Sequence, residues 1–166
     1  MTTIEHDVQA SFKEVMAGVA TPVSIVTTIS DKPYGATVSA FASLSMSPPM
    51  VLVSLDRGSD TLQQIRETQR FGLNILGSDQ SETALSFAKK GGLEKFTGTG
   101  WSVDHEVPRI HGAPGWIACS VADLVDGGDH VIVLGHVVAA ELNHARPLIY
   151  HGRVFGTYIL NDCFGW

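Results

Sequence analysis

Apolar residues recur along this chain with two different periods, and the switches between them mark the elements. Val8, Phe12, Val15, Met16 and Val19 fall at helical spacing from about Asp7 to Gly18. This predicts a helix whose apolar face packs on a core. Pro22 then opens Val23-Ser24-Ile25-Val26-Thr27-Thr28-Ile29, rich in β-branched residues and predicted as a strand. Ser30 to Gly35 carries turn chemistry, so a hairpin into the next stretch is expected. Val51 to Leu55 reads as a short buried strand. Thr61 to Thr68 reads as a short helix, with Ser59, Asp60 or Thr61 as its N-cap. Phe71 to Leu76 is another strand. A second helix runs from about Asp79 to Lys89 and is stopped by Gly91-Gly92.

Leu93 to Pro114 keeps no period and is expected to be an irregular, partly packed surface segment. Trp116 to Val125 and His130 to Ala140 read as two strands of a second hairpin, turned at Asp126-Gly127-Gly128-Asp129. His151 to Tyr158 forms a last strand or a pair of short ones. Six or seven strands joined mostly by hairpin turns, without βαβ alternation, predict a mainly β, α+β architecture. The expected form is a single antiparallel barrel domain over residues 1–166, with helices at one side.

Between the first two strands lies Gly35 to Pro49, fifteen residues without a charge. A solvated loop would carry charge, and a plain core strand would carry more Val, Ile and Leu. The stretch reads as backbone that a flat, partly polar ligand approaches closely, or as a serine-rich edge strand facing water. If it is extended, Ser39, Ser43, Ser45 and Ser47 share one face, and Ala40, Ala42, Leu44 and Met46 share the other.

Composition narrows the classes. A net charge of −6 speaks against binding a nucleic-acid backbone, which needs a basic footprint. No apolar run approaches the roughly 20 residues of a membrane span. The acidic N-terminus lacks the layout of a signal peptide, so a cytoplasmic location is expected. Cys119 and Cys163 fit neither a metal spacing nor a disulfide framework and read as reduced thiols.

Four further groups carry possible chemistry. Ser54, Asp56, Arg57, Ser59 and Thr61 put hydroxyls, a cation and a helix N-terminus within eight residues. This is a phosphate cradle or ordinary helix capping. Gly128-Asp129-His130 places a histidine at a hairpin rim, where it holds a ligand amide, titrates near neutral pH or simply faces solvent. His130 and His136 share a strand face but lie roughly 20 Å apart at the usual rise, so no shared metal ion is expected. Tyr150-His151-Gly152-Arg153 is either an anion or aromatic-ligand site or a surface turn. Lys89, Lys90 and Lys95 with Phe87 and Phe96 place cations and rings near a phosphate, or merely solvate a helix end. No nucleophile–base–acid set is present, so hard chemistry would fall to a cofactor.

The order of these segments resembles the flavin reductase family, the small reductase component of two-component flavin-dependent monooxygenases. The resemblance runs from Phe12 to Tyr158. It rests on Tyr34-Gly35-Ala36-Thr37-Val38-Ser39-Ala40-Phe41-Ala42-Ser43-Leu44-Ser45 with Pro48-Pro49, and on Val51 to Arg57 with Ser59. Phe71 to Leu76, Gly128-Asp129-His130 and Pro147 to Tyr150 with Arg153 complete it. It implies a split β-barrel of the FMN-binding type and a homodimer with flavin sites near the subunit interface. It implies hydride transfer from NADH or NADPH to FAD or FMN, with reduced flavin released to a partner oxygenase. Thr37, Val38, Ser39 and Ala40 would face the flavin ring, and Ser43 and Ser45 the ribityl chain. Ser54 would belong to the flavin site. Asp56, Ser59 and Thr61 would serve the phosphate, with Lys89 and Phe96 reaching it. His130 would be the catalytic residue on the nicotinamide side, and Tyr150 and Arg153 would border the same pocket. A bound flavin passing electrons to another acceptor such as ferric iron, or a non-catalytic flavin module, are the alternatives. Similar chains often carry tyrosine where this one has Phe155. The tail Asn161 to Trp166 has no counterpart; its Phe164 and Trp166 are expected at a dimer interface or over a site.

Overall fold

The computed structural model describes residues 3–159. Cys163, Phe164 and Trp166 lie outside the described residues. In chain order the elements are α1 (Thr3–Ala17), β1 (Thr21–Pro22), β2 (Ser24–Ile29), β3 (Pro33–Val38), β4 (Phe41–Met46), β5 (Pro49–Asp56) and α2 (Asp60–Thr68). They continue with β6 (Arg70–Ile75), α3 (Ser81–Ala88), a short 3-10 helix (Leu93–Phe96), β7 (Trp101–Asp104) and β8 (Val107–Ile110). The chain closes with β9 (Gly115–Gly127), β10 (His130–Leu142), β11 (Ile149–His151) and β12 (Val154–Gly156).

Seven strands form one antiparallel sheet in the order β3-β2-β6-β9-β10-β5-β4. Strands β3 and β4 are its two opposite edges, yet only Ser39 and Ala40 separate them in the chain. Two residues cannot span a flat seven-stranded sheet, whose strands lie about 4.8 Å apart. The sheet must curl until its edges meet, and Ser54 N donates to Ala40 O (2.9 Å) beside the seam. This is the expected split barrel.

The barrel interior is filled by Val26, Val53, Leu55, Leu62, Ile65, Phe71, Leu73 and Val133, among others. Gly135 leaves room for Phe71: a Cβ there would lie 2.5 Å from the ring. A second cluster, Val23, Ile25, Leu76, Ala84, Phe87, Phe96, Ile110 and Leu148, fixes α3 and the 3-10 helix against the outer face of β2. Strand β2 is therefore buried on both faces. Its hydroxyls are paired inward: Ser24 Oγ donates to Val38 O (2.8 Å), and Thr27 Oγ1 to Pro108 O (2.6 Å).

Three expectations are corrected. The segment after Leu93 is not irregular: β7 and β8 form a regular hairpin, with Trp101 paired to Ile110 and Asp104 to Val107. Its turn uses His105 and Glu106 at positive φ (46° and 62°), so the usual glycine or asparagine signal is missing. The apolar face of α1 does not pack on the core. Val8, Phe12, Val15 and Met16 are 63%, 62%, 69% and 45% exposed. Helical spacing reports an amphipathic helix, not which surface covers it, and both cores are already filled by other residues. Gly35 to Pro49 is not one extended segment. It breaks at the seam, and β4 carries a bulge between Ser43 and Ser45, so the four serines do not share a face.

Candidate active site

A groove runs along the seam. Its near part, about 230 Å³, is lined by Ala36, Thr37, Val38, Ser39, Ala40, Ser54, Leu55, Asp56, Ser59 and His130. Its far part, about 530 Å³, shares Ala36, Thr37, Asp56 and Ser59 with the first. It continues to Tyr34, Gly35, Thr61, Lys89, Lys90 and Lys95. The near part thus gathers eight of the expected site residues from three separated segments.

Each side of the groove has a local cause. On β3, Thr37 Oγ1 donates to Ala84 O (2.6 Å), which ties α3 along the edge strand. The backbone of Val38 to Ala40 is left at the mouth, because the sheet has no strand beyond this edge. At the floor, Ser59 caps α2 and accepts from Leu62 N at 3.4 Å. The first amides of a helix have no intrahelical acceptor, so those of Asp60 and Thr61 are donors available to an anion. Asp56 Oδ1 accepts from Gly58 N (2.7 Å), shaping the loop before the cap.

The opposite wall is the tip of the β9–β10 hairpin. His130 sits across from Asp56 in the β10–β5 ladder. Three bonds latch this tip to the cap loop. Arg57 N donates to Asp129 O (3.0 Å), Arg57 Nε donates to Gly128 O (2.7 Å), and its guanidinium pairs with Asp126 (2.9 Å). His130 Nδ1 lies 2.8 Å from Asp129 Oδ1, which fixes the ring's orientation. That hydrogen bond, with the imidazole's charge behind it, holds the Asp129 carboxyl below its ordinary range.

At the far end Lys95 Nζ donates to Gly35 O (3.2 Å) and Phe87 O (3.4 Å). Desolvation there lowers its pKa, against the opposing pull of Asp60 and Glu94.

Other expected site residues fall elsewhere. Phe96 is 3% exposed and packs edge-on against Phe87 (4.7 Å between centroids) and Trp101 (5.3 Å), so it is a core residue and does not line the groove. Its neighbour Lys95 lines the groove instead. Ser43 and Ser45 lie on β4 outside the groove lining, and Ser45 Oγ accepts from Ser47 N (3.2 Å). Tyr150 packs on Phe155 (5.3 Å) in the small β1-β11-β12 sheet. Arg153 pairs with Glu14 of α1, and neither Tyr150 nor Arg153 lines the groove. Lys95, grouped from sequence with Lys89 and Lys90, does line the groove, and Tyr34, which the sequence placed in the turn before β3, lines it beside Gly35.

An uncharged edge strand, a capped helix N-terminus and a lysine-lined far end define a nucleotide-cofactor site on a split barrel. The donors fit a flavin: hydroxyls and amides for the ring and ribityl oxygens, and free helix amides for a phosphate. Comparison with known proteins gives the same class. Residues 16–158 match the model of the flavin reductase like domain, and the chain belongs to that family. It is 39% identical over 152 residues to the reductase component of a 4-nitrophenol 4-monooxygenase/4-nitrocatechol 2-monooxygenase from Rhodococcus opacus, covering 91% of this chain and 82% of that one. It is 33% identical over 150 residues to an NADH-dependent FMN reductase from Agrobacterium fabrum, covering 89% and 85%. The structure superposes with a TM-score of 0.87 on the NADH:FAD oxidoreductase of Streptomyces globisporus C-1027, solved with NAD and FAD fragments. That pair is 28% identical, over 94% of this chain and 95% of the other.

Proposed function

We propose that this chain is an NADH-dependent flavin reductase that releases reduced flavin to a partner monooxygenase. The observation that carries this reading is the seam groove, where His130, the Thr37–Ala40 edge and the α2 N-terminus face one open cleft. In this reaction NADH supplies the hydride and flavin accepts it. The chain contributes position. The edge backbone and Ser39 and Ser54 orient the flavin ring, and Ser59 with the amides of Asp60 and Thr61 holds the phosphate. His130, oriented by Asp129, holds the nicotinamide side or donates a proton there. The groove is open to solvent along the exposed Ser39 and Ala40, which suits a flavin that must leave.

A homodimer is part of the proposal. An apolar stripe of Val8, Phe12, Val15 and Met16 left in water is unusual for a monomer and supports a second protomer covering α1. A partner's surface brought to this face is also the route by which Tyr150 and Arg153 would approach a flavin site. The location proposed is cytoplasmic, in keeping with NADH as donor and with the free, buried thiol of Cys119. Among the described residues no helix is long and apolar enough to cross a membrane.

The test is NADH oxidation by the purified chain with and without added flavin. Oxidation that needs added flavin and saturates with it supports the proposal. A protein that stays yellow through dialysis and ignores added flavin overturns flavin release and favours a retained cofactor. In the same assay His130→Ala should raise KM for NADH more than KM for flavin. Unchanged NADH kinetics would remove His130 from the site.

A further inference from the structure

Arg57 is the one cation between Ser54 and Thr61, and in the chain it stands beside hydroxyls and a helix start, as a phosphate ligand would. In the fold it points elsewhere. Arg57 lines neither part of the groove. Its Nε donates to Gly128 O (2.7 Å), its guanidinium pairs with Asp126 (2.9 Å) and its backbone N donates to Asp129 O (3.0 Å). All three partners belong to the β9–β10 tip, so the side chain is committed to the opposite wall.

The tip has little else to hold it. Asp126, Gly127, Gly128 and Asp129 are exposed, and a Cβ at Gly128 would meet nothing within 4 Å. The β10–β5 ladder ends where His130 faces Asp56. Among the described residues, the bonds from Arg57 are those that fasten Asp126 to Asp129 to a segment outside their own hairpin. On its other side Arg57 runs directly into the α2 cap. Arg57 O accepts from Gln63 Nε2 (3.4 Å), and Asp56 O accepts from Ser59 N (3.0 Å). The turn that presents the free amides of Asp60 and Thr61 therefore also holds the backbone of Arg57. At the far end of the latch, Asp129 orients the His130 ring.

We propose that Arg57 is a positioning residue that couples the two walls of the groove. A phosphate on the α2 amides and a nicotinamide at His130 favour the same placement of the tip, so each ligand tightens the other. The proposal rests on the flavin reductase reading above. Arg57 meets neither ligand, and its effect passes through the backbone of Gly128 and Asp129 to His130. Fixing the cap turn and the exposed tip costs conformational entropy once, so the second ligand to bind pays less of it.

The experiment uses NAD+, which has no hydride to give, with riboflavin and FMN, which differ only in the phosphate. Isothermal titration calorimetry gives the Kd of NAD+ at saturating FMN and at saturating riboflavin. Ring stacking is common to both, so the difference isolates the phosphate. One half-exposed charged latch sets that difference at about 3- to 5-fold, with NAD+ tighter beside FMN. By linkage, NAD+ should tighten FMN more than riboflavin by the same factor. Arg57→Gln should bring the Kd of NAD+ beside FMN to its riboflavin value. Arg57→Lys, which keeps a donor and the charge, should restore part of the gap. A latch that only stabilised the fold would weaken NAD+ equally beside both flavins. Equal Kd values in the unaltered protein would overturn the proposal without any variant, and a gap that survives in Arg57→Gln would remove Arg57 from it. Turnover separates the two levels. Flavin-dependent NADH oxidation with no gap in NAD+ binding sinks only the coupling, and a gap without such oxidation sinks the reductase reading alone.

Discussion

Gly35 is the point at which the fold and the groove depend on one missing methyl group. It lies on β3 opposite Thr27, and its carbonyl receives Lys95. A Cβ built there would stand 2.7 and 2.8 Å from Cε1 and Cδ1 of Phe87, and 3.4 Å from Cγ2 of Ile25. The Phe87 ring has nowhere to withdraw: it is 1% exposed and packed edge-on against Phe96. Gly35→Ala therefore forces α3 outward. Overpacking of this kind costs about 1–3 kcal/mol. The reduced freedom of the unfolded chain returns about 0.4–1 kcal/mol. The net loss is about 1–2 kcal/mol, which lowers Tm by about 2–8 °C for a chain of this length. Because α3 is tied to the groove edge through Thr37 and Ala84, and Lys89 and Lys90 follow it in the chain, KM for flavin should rise as well. Thermal denaturation followed by circular dichroism gives the first quantity and steady-state kinetics the second. Adding Phe87→Leu to Gly35→Ala should recover part of the loss relative to Phe87→Leu alone, since the two side chains meet. A Gly35→Ala protein as stable as the parent, with unchanged flavin kinetics, would refute the close-packing argument.

Arg57→Ala should loosen the hairpin tip that carries His130 and raise KM for NADH several-fold. Equilibrium denaturation should show a stability loss of at most about 1 kcal/mol, because the Arg57–Asp126 pair is largely solvated; an unchanged KM would dissociate the latch from the site. The Asp129 carboxyl, held below its ordinary range by the His130 hydrogen bond, favours the folded state above its unfolded pKa, and this is lost as pH falls through the depressed value. Titration by NMR should show the depression in the parent and its disappearance in His130→Ala. Burial pushes the Cys119 thiol up to about 12, so at pH 8 almost no thiolate forms. In a Cys163→Ser background, a thiol reagent should react only once the chain unfolds; rapid labelling of the folded protein would contradict the packing described.

Local pattern was enough where a residue's neighbours in sequence set its state. The β2–β3 hairpin follows from its β-branched run and turn, and the β9–β10 hairpin from Asp126 to Asp129. The start of α2 follows from the Ser59-Asp60-Thr61 run, and the structure makes Ser59 the cap among them. The β7–β8 hairpin was not legible, since its turn achieves positive φ with histidine and glutamate. The family resemblance places Phe96 with Lys89 at the phosphate, and a ring among three lysines suits that place. Only packing against Phe87 and Trp101 shows that the ring is spent on the core and that Lys95 turns to the groove.

The sequence by itself determined that Gly35 to Ala40 carries no charge, and that one of Ser59, Asp60 and Thr61 opens a helix with free amides. It also determined that His130 ends a glycine turn, since each of these is a property of a few consecutive residues. Only the tertiary structure decided that the three meet. That decision belongs to the curl of a seven-stranded sheet whose first and last strands are joined by two residues, a constraint no local window contains. The same holds for the α1 face: its period is written in the chain, but whether a core, a partner or water covers it depends on which surfaces the rest of the fold leaves open.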